Sequence, residues 1–136
     1  MAPSGSGRRY IVRARTEFSS AHVLHGYAGG CERVHGHNFK VELEVEADGL
    51  DALGMAIDFT VLEAWAAEVA RDLDHRLINE VPPFDRMNPT AEHLAGYFWE
   101  RLHRRVADLG HGRSVVLRAV TVSENDRTSV TFIPEH

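Results

Sequence analysis

The sequence predicts an α+β domain: a four-stranded antiparallel sheet with two helices on one face, in the order β-β-α-α-β-β. Three observations predict it. Phe39, Val41, Leu43, Val45 and Ala47 alternate with Lys40, Glu42, Glu44 and Glu46, the period-two pattern of a strand with one dry and one wet face. Two stretches carry apolar residues at helical spacing instead, Leu62, Trp65, Ala66, Val69 and Leu73, then Leu94, Tyr97, Phe98 and Leu102. Two further strand-like runs, Val115 to Ser123 and Thr128 to Ile133, close the chain around a short polar turn. Strands and helices in that order, without a repeat or a linker, read as a single domain over residues 8–136.

Residues 1–7 are small, polar and glycine-rich, and read as a disordered leader with no apolar signal core. Tyr10 to Ser20 forms the first strand, and a loop rich in glycine and histidine runs from His25 to Val34. After the alternating strand, Asp48 to Gly54 supplies turn chemistry. Asp58 or Thr60 caps the first helix, which runs to about Leu73. An irregular segment holds Asp74, His75, Pro82, Pro83 and Pro89; Thr90 then caps the second helix, with Glu92 favourably placed in its first turn. Leu109 to Gly112 ends that helix, and Glu124 to Arg127 turns the last two strands. The sheet edges need protection, and oligomerisation is one way to provide it.

Composition excludes several classes. A formal charge of -5 offers no broad basic surface for nucleic acid. No apolar run reaches the roughly 20 residues that span a bilayer. Cys31 is the lone cysteine, so an intrachain disulfide is impossible and a reducing cytoplasm is the natural compartment. The 136 residues are enough to bury a core without such a staple.

The chemistry concentrates in Cys31-Glu-Arg-Val-His35-Gly-His37. On an extended backbone His35 and His37 point to one side, and two imidazoles on one face can share a zinc. Gly36 between them permits close approach of chain or ligand. His22, at the end of the first strand, is the third candidate, because an antiparallel return brings it alongside. Three histidines without a fourth protein ligand leave the open position of a catalytic zinc. The absence of Cx₂C pairs argues against a zinc finger or a CxxC-type deaminase, and the absence of HExxH against a small zinc hydrolase. Cys31 reads either as a small buried hydrophobe or, beside a cation, as a thiolate base. Asp74 beside His75 reads as a carboxylate fixing an imidazole tautomer, or as a helix-end dipole partner. Glu124 reads as a solvated turn acid, or as an acceptor for the N–H and NH₂ edge of a pterin or guanine.

Taken together, Phe18-Ser-Ser-Ala-His22, Cys31-x₃-His35-Gly-His37-Asn38, Gly54-Met-Ala-Ile-Asp58-Phe59, Leu73-Asp74-His75, Pro89-Thr90-Ala91-Glu92 and Glu124 resemble one family. It is the 6-pyruvoyl-tetrahydropterin synthase / 6-carboxy-5,6,7,8-tetrahydropterin synthase (QueD) family, and the resemblance runs from about Tyr10 to Ile133. It implies the tunnelling fold, or T-fold, assembled as a homo-oligomer, a hexamer of two stacked trimers. It implies Zn2+ on His22, His35 and His37, Cys31 as catalytic base or nucleophile, and Asp74 and His75 as its partners across a subunit interface. Glu124 would anchor the pterin ring, and Thr90 and Glu92 would line its pocket.

The family's two main branches act on 7,8-dihydroneopterin triphosphate. One eliminates triphosphate to give 6-pyruvoyl-tetrahydropterin. The other also loses acetaldehyde and gives 6-carboxy-5,6,7,8-tetrahydropterin, a precursor of queuosine and other 7-deazapurines. Three residues between Cys31 and His35 resemble the carboxy branch, the pyruvoyl branch usually having a longer spacer. The alternatives are the pyruvoyl-forming synthase and a T-fold oligomer that binds a pterin or purine without turnover. Several residues depart from the family pattern: Asn125 follows the anchoring acid where Thr is common, Asp126 and Arg127 charge the turn, His93 stands where Asn is common, and Glu32 lies beside Cys31. Arg33, Lys40, Arg76 and Arg127 are the candidates for holding phosphate.

Overall fold

In the computed structural model, which describes residues 7–26 and 33–135, the alternating strand is longer than its apolar half. Strands β1 (Tyr10–His22) and β2 (His35–Ala47) pair antiparallel over their whole length, from Tyr10 opposite Ala47 to His22 opposite His35. From residue types alone the first strand is expected to end at Ser20 and the clear alternation to begin at Phe39. The residues beyond, Ala21, His22, His35, Gly36 and Asn38, are weak strand formers, and cross-strand pairing overrides that preference. Helix α1 (Phe59–Arg71) starts on Asp58, whose carboxylate accepts the Thr60 N–H at 2.9 Å, so Asp58 is the cap. Helix α2 (Ala91–Ala107) starts on Thr90, whose hydroxyl accepts the His93 N–H at 3.1 Å. Strands β3 (Val115–Ser123) and β4 (Ser129–Phe132) complete an antiparallel sheet in the order β1-β2-β3-β4. The predicted element order is the observed one.

Parity sorts the sheet. Phe39, Val41, Leu43, Val45 and Ala47 are fully buried on the helix side, together with Leu62, Leu94, Phe98 and Leu102. Phe18 stacks on Phe39 with ring centroids 5.0 Å apart. The Trp99 indole N–H donates to the Leu117 carbonyl at 2.9 Å, tying α2 to β3. Replacing Leu62 by alanine is expected to cost about 2–5 kcal/mol, the range for emptying a buried leucine site. The urea midpoint of the metal-free protein would measure it.

The wet face stacks three like charges, Glu42, Glu44 and Glu46. Arg15 answers Glu42 at 2.7 Å, Arg13 answers Glu44 at 3.1 Å, and Arg9 and Arg118 both reach Glu46 at 3.0 Å. Exposed pairs of this kind contribute about 0–1 kcal/mol each; their effect is to remove repulsion along the stack. No helix among the described residues is long and apolar enough to cross a membrane.

After α1 the chain returns along the outer edge of β1. The His75 N–H donates to the Ser19 carbonyl at 2.6 Å, the Ala21 N–H to the Arg76 carbonyl at 3.0 Å, and Leu77 bridges Ala21 in parallel. Ser20 adds a buried hydroxyl bond to the Leu73 carbonyl. This docking fixes Asp74 and His75 against the strand that carries His22.

Candidate metal centre

The period-two face that buries Phe39 and Val41 continues past its apolar residues. One end of the sheet is therefore finished by His35 and His37 on β2, and by His22 opposite His35 on β1. Val122 lies opposite Val41, and Glu124, two residues on, falls on the same face. Ring centroids stand 4.5 Å apart for His22 and His35, 5.2 Å for His22 and His37, and 5.0 Å for His35 and His37. One ligand atom from each histidine and one Glu124 oxygen all lie within 4.8 Å of one another.

Hydrogen bonds set which nitrogen faces inward. His22 is fully buried, and its Nδ1 lies 2.8 Å from the Pro89 carbonyl. A carbonyl only accepts, so Nδ1 carries the proton and Nε2 presents a lone pair. His35 Nδ1 stands in the same relation to the Arg33 carbonyl, at 2.8 Å. Among the described residues, His22 Nε2 is the buried side-chain polar atom without a hydrogen-bond partner. Facing it at 3.3 Å is Glu124 Oε2, which is also 3.3 Å from His37 Nε2.

A carboxylate against an imidazole lone pair is two acceptors in contact. Only a cation or a second proton on the ring reconciles them. Ligand atoms of a tetrahedral zinc with bonds of ~2.0–2.1 Å are separated by ~3.3–3.4 Å, which the two 3.3 Å contacts match. Three imidazoles and a carboxylate are a donor set that suits zinc. The sequence predicts three histidines and no fourth protein ligand; the structure brings Glu124 to the same point.

The groups of the cluster act on one another's protonation. The facing His22 side chain holds the Glu124 carboxyl below the usual carboxylate range, against burial that pushes it up, with His37 and His35 adding to the depression. Burial lowers the His37 imidazole; Glu124 opposes this, and His22 and His35 reinforce it. Both shifts give one sign. A lowered imidazole means that the unfolded chain binds more protons as pH falls through about 6.5, and a lowered carboxyl means the same below about 4.3. Stability of the metal-free chain is therefore full above this range and lost on acidification. Its melting temperature is expected to fall between pH 7.5 and 5.5, with a flatter slope in His37→Asn.

Asp74 and His75 form the dyad that their adjacency suggested. Asp74 Oδ1 accepts the Ser19 N–H at 2.9 Å, and Oδ2 lies 3.0 Å from His75 Nδ1. These two bonds, Ser19 first, hold the Asp74 carboxyl below its usual range. His75 sits in the left-handed region with φ of 56°, and its ring is largely exposed. With Nδ1–H on Asp74, its Nε2 is an acceptor facing outward. An open groove at this edge is lined by Ser19, Gly36, His37, Asn38, His75 and Arg76 among others, so His75 and one histidine of the cluster border the same space. Gly36 is not demanded by crowding, since a Cβ there would meet the Ser20 carbonyl at an ordinary 3.6 Å.

Thr90 spends its hydroxyl on the helix cap, and its neighbour Pro89 holds His22. Glu92 is exposed on the first turn of α2 and is not part of the four-residue cluster. Cys31 and Glu32 lie outside the described residues, as do residues 1–6 of the expected leader. Of the phosphate candidates, Lys40 is paired with Asp126 at 3.0 Å, whereas Arg76 borders the groove. Asn125 has a local reason: its carboxamide oxygen accepts from the Arg127 and Thr128 N–H groups at 2.8 and 3.0 Å, an Asx turn.

The chain and its fold have relatives. The family model described as 6-pyruvoyl tetrahydropterin synthase matches residues 11–135. A Pyrococcus horikoshii protein, provisionally named 6-carboxy-5,6,7,8-tetrahydropterin synthase, is 36% identical over 160 aligned positions, covering 93% of this chain and 96% of its own. Human 6-pyruvoyl tetrahydrobiopterin synthase is 31% identical over 148 positions, covering 97% and 98%. The structure of Caenorhabditis elegans 6-pyruvoyl tetrahydropterin synthase superposes with a TM-score of 0.79 at 24% identity over 94% of this chain and 97% of that one, a likeness of fold.

Proposed function

Because this chain belongs to the 6-pyruvoyl tetrahydropterin synthase family and has its T-fold, we propose that it is a zinc-dependent 6-carboxy-5,6,7,8-tetrahydropterin synthase. It would convert 7,8-dihydroneopterin triphosphate with loss of triphosphate and acetaldehyde, as a cytoplasmic carbon–carbon and carbon–oxygen lyase in the making of queuosine or another 7-deazapurine. The observation that carries the reading is the buried His22 Nε2, unpartnered among the described residues, converging with His35 and His37 at the end of the sheet that also carries the Asp74–His75 dyad. The three-residue spacer between Cys31 and His35 favours the carboxy branch. So does the naming of the relatives at 36% and 35% identity, against 31% for the human pyruvoyl-forming protein.

His22, His35 and His37 would hold the zinc, which when bound supplies Lewis acidity toward the hydroxyls of the substrate side chain. Glu124, which lies against His22 and His37 in the metal-free centre, would accept two hydrogen bonds from the pterin N–H and NH₂ edge and fix the ring beside the metal. Cys31 as thiolate takes the carbon-bound proton. His75, its tautomer set by Asp74, moves the proton on the opposite side through Nε2. Thr90 and Glu92 border the pterin. The active unit is a homo-oligomer, a hexamer of two trimers; β4 covers only Val120 to Ser123 of β3, leaving strand edge for a neighbouring subunit.

The test is direct. Zinc-loaded protein is incubated anaerobically with 7,8-dihydroneopterin triphosphate, and the pterin product is identified by mass spectrometry. A 6-carboxy product with acetaldehyde is expected. A 6-pyruvoyl product would move the chain to the other branch. Unchanged substrate with zinc bound would leave a binding protein.

A further inference from the structure

Beyond His22, where β1 ends, the chain is held by two carboxamides. Val23 gives its N–H to Asn79 Oδ1 at 2.9 Å and accepts from Asn79 Nδ2 at 2.9 Å. His25 repeats the arrangement with Asn88, at 2.9 and 2.8 Å. Each asparagine thus acts as a one-residue strand partner, satisfying the N–H and the C=O of one residue at once. Asn88 is itself fixed, because its backbone carbonyl lies 2.7 Å from His93 Nδ1. The next carbonyl along, that of Pro89, is the one that orients the His22 ring.

We propose that Asn79 and Asn88, with His93 behind Asn88, are positioning residues for the metal ligand His22. This rests on the reading of His22 as a ligand. The two clamps bracket the backbone just after His22, and one of them adjoins the carbonyl that fixes its Nδ1. Loss of Asn79 frees the backbone that sets the His22 Cα position, and loss of Asn88 frees both that backbone and the carbonyl that sets the ring's tautomer. An ordinary loop needs neither. A carboxamide on a short stem carries both the donor and the acceptor that such a clamp requires. Aspartate has the same shape but only acceptors, so it sets an oxygen against the facing carbonyl.

The experiment compares wild type with Asn88→Asp, Asn79→Asp, His93→Ala and His22→Ala. Zinc affinity is read by competition with a chromophoric chelator, far below the melting temperature, and the His22 tautomer by ¹⁵N NMR of the metal-free protein. Both aspartate variants are expected to bind zinc about 10–100-fold more weakly, the range for groups that orient metal ligands, and Asn88→Asp is expected also to lose the single Nδ1–H tautomer of His22. His93→Ala, at an exposed position, is expected to fall at the low end of that range. Wild-type affinity in both aspartate variants with weak binding in His22→Ala overturns the proposal and leaves the metal centre standing. So does a lower melting temperature with unchanged affinity, which marks a merely structural clamp. Wild-type affinity in His22→Ala overturns the metal-centre reading itself, and the proposal with it. Should the aspartate variants not fold, unchanged affinity and tautomer in His93→Ala would overturn it.

Discussion

Replacing His22 with alanine is expected to abolish zinc-dependent stabilisation and turnover together. His22 is the fully buried member of the cluster, and its Nε2 has no hydrogen-bond partner among the described residues. Structural zinc sites bind with about 10–16 kcal/mol over four ligands, so one imidazole is worth roughly 2.5–4 kcal/mol and its loss weakens binding by about 10²–10³-fold. In the wild type, zinc at a hundred times its Kd raises stability by about 2.7 kcal/mol. In His22→Ala the same concentration falls to the new Kd or below, and the melting curves with and without zinc should nearly coincide. The metal-free variant also loses the bond to the Pro89 carbonyl, which costs about 1–3 kcal/mol where a buried acceptor is left unpaired. The comparison must therefore be made within each variant, zinc against chelator. A zinc-induced shift of wild-type size in His22→Ala would remove His22 from the ligand set.

The sheet and helices were legible because their periods differ. Phe39 to Ala47 repeats every second residue, Leu62 to Leu73 every three or four, and neither pattern suits the other element. The three histidines were legible for a related reason: the spacing of His35 and His37 puts them on one face, and the antiparallel return brings His22 opposite. Glu124 was read from its residues alone more readily as a turn acid, although Val120, Val122 and Glu124 share a parity that carries the core face into the cluster. The asparagine clamps left no trace of that kind. Asn79 and Asn88 lie in an irregular segment and bond to Val23 and His25, 56 and 63 residues away. Periodicity reports which face of an element a residue occupies; it is silent on contacts between a loop and the end of a strand.

Glu124 is the residue whose two readings make opposite demands, and Glu124→Gln separates them. A zinc that activates a substrate keeps one position open, whereas a structural zinc is closed by four protein ligands. If Glu124 were the fourth ligand, the substrate hydroxyls would have no place to bind. The amide of glutamine is a poor zinc ligand, and affinity would drop toward that of His22→Ala. If Glu124 anchors the pterin, the zinc stays and the substrate is lost. A carboxylate accepts from both the ring N–H and the NH₂ group, while an amide turned toward the same edge offers one acceptor and one mismatched donor. Hydrogen bonds to a charged group contribute about 1.5–3 kcal/mol each, so losing two weakens the complex by roughly 10²–10⁴-fold. The expected result is the second: zinc affinity within about tenfold of wild type, with kcat/KM lower by at least two orders of magnitude, mostly in KM. The His22 side chain and its neighbours keep the Glu124 carboxyl below the ordinary range, so the wild-type anchor is charged throughout neutral pH. An acid limb in KM should therefore appear only well below neutrality, and Glu124→Gln should lack it. Loss of zinc in this variant would overturn the anchor and recast the centre as a closed structural site. The chemistry would then have to be sought in the groove at His75 without metal assistance.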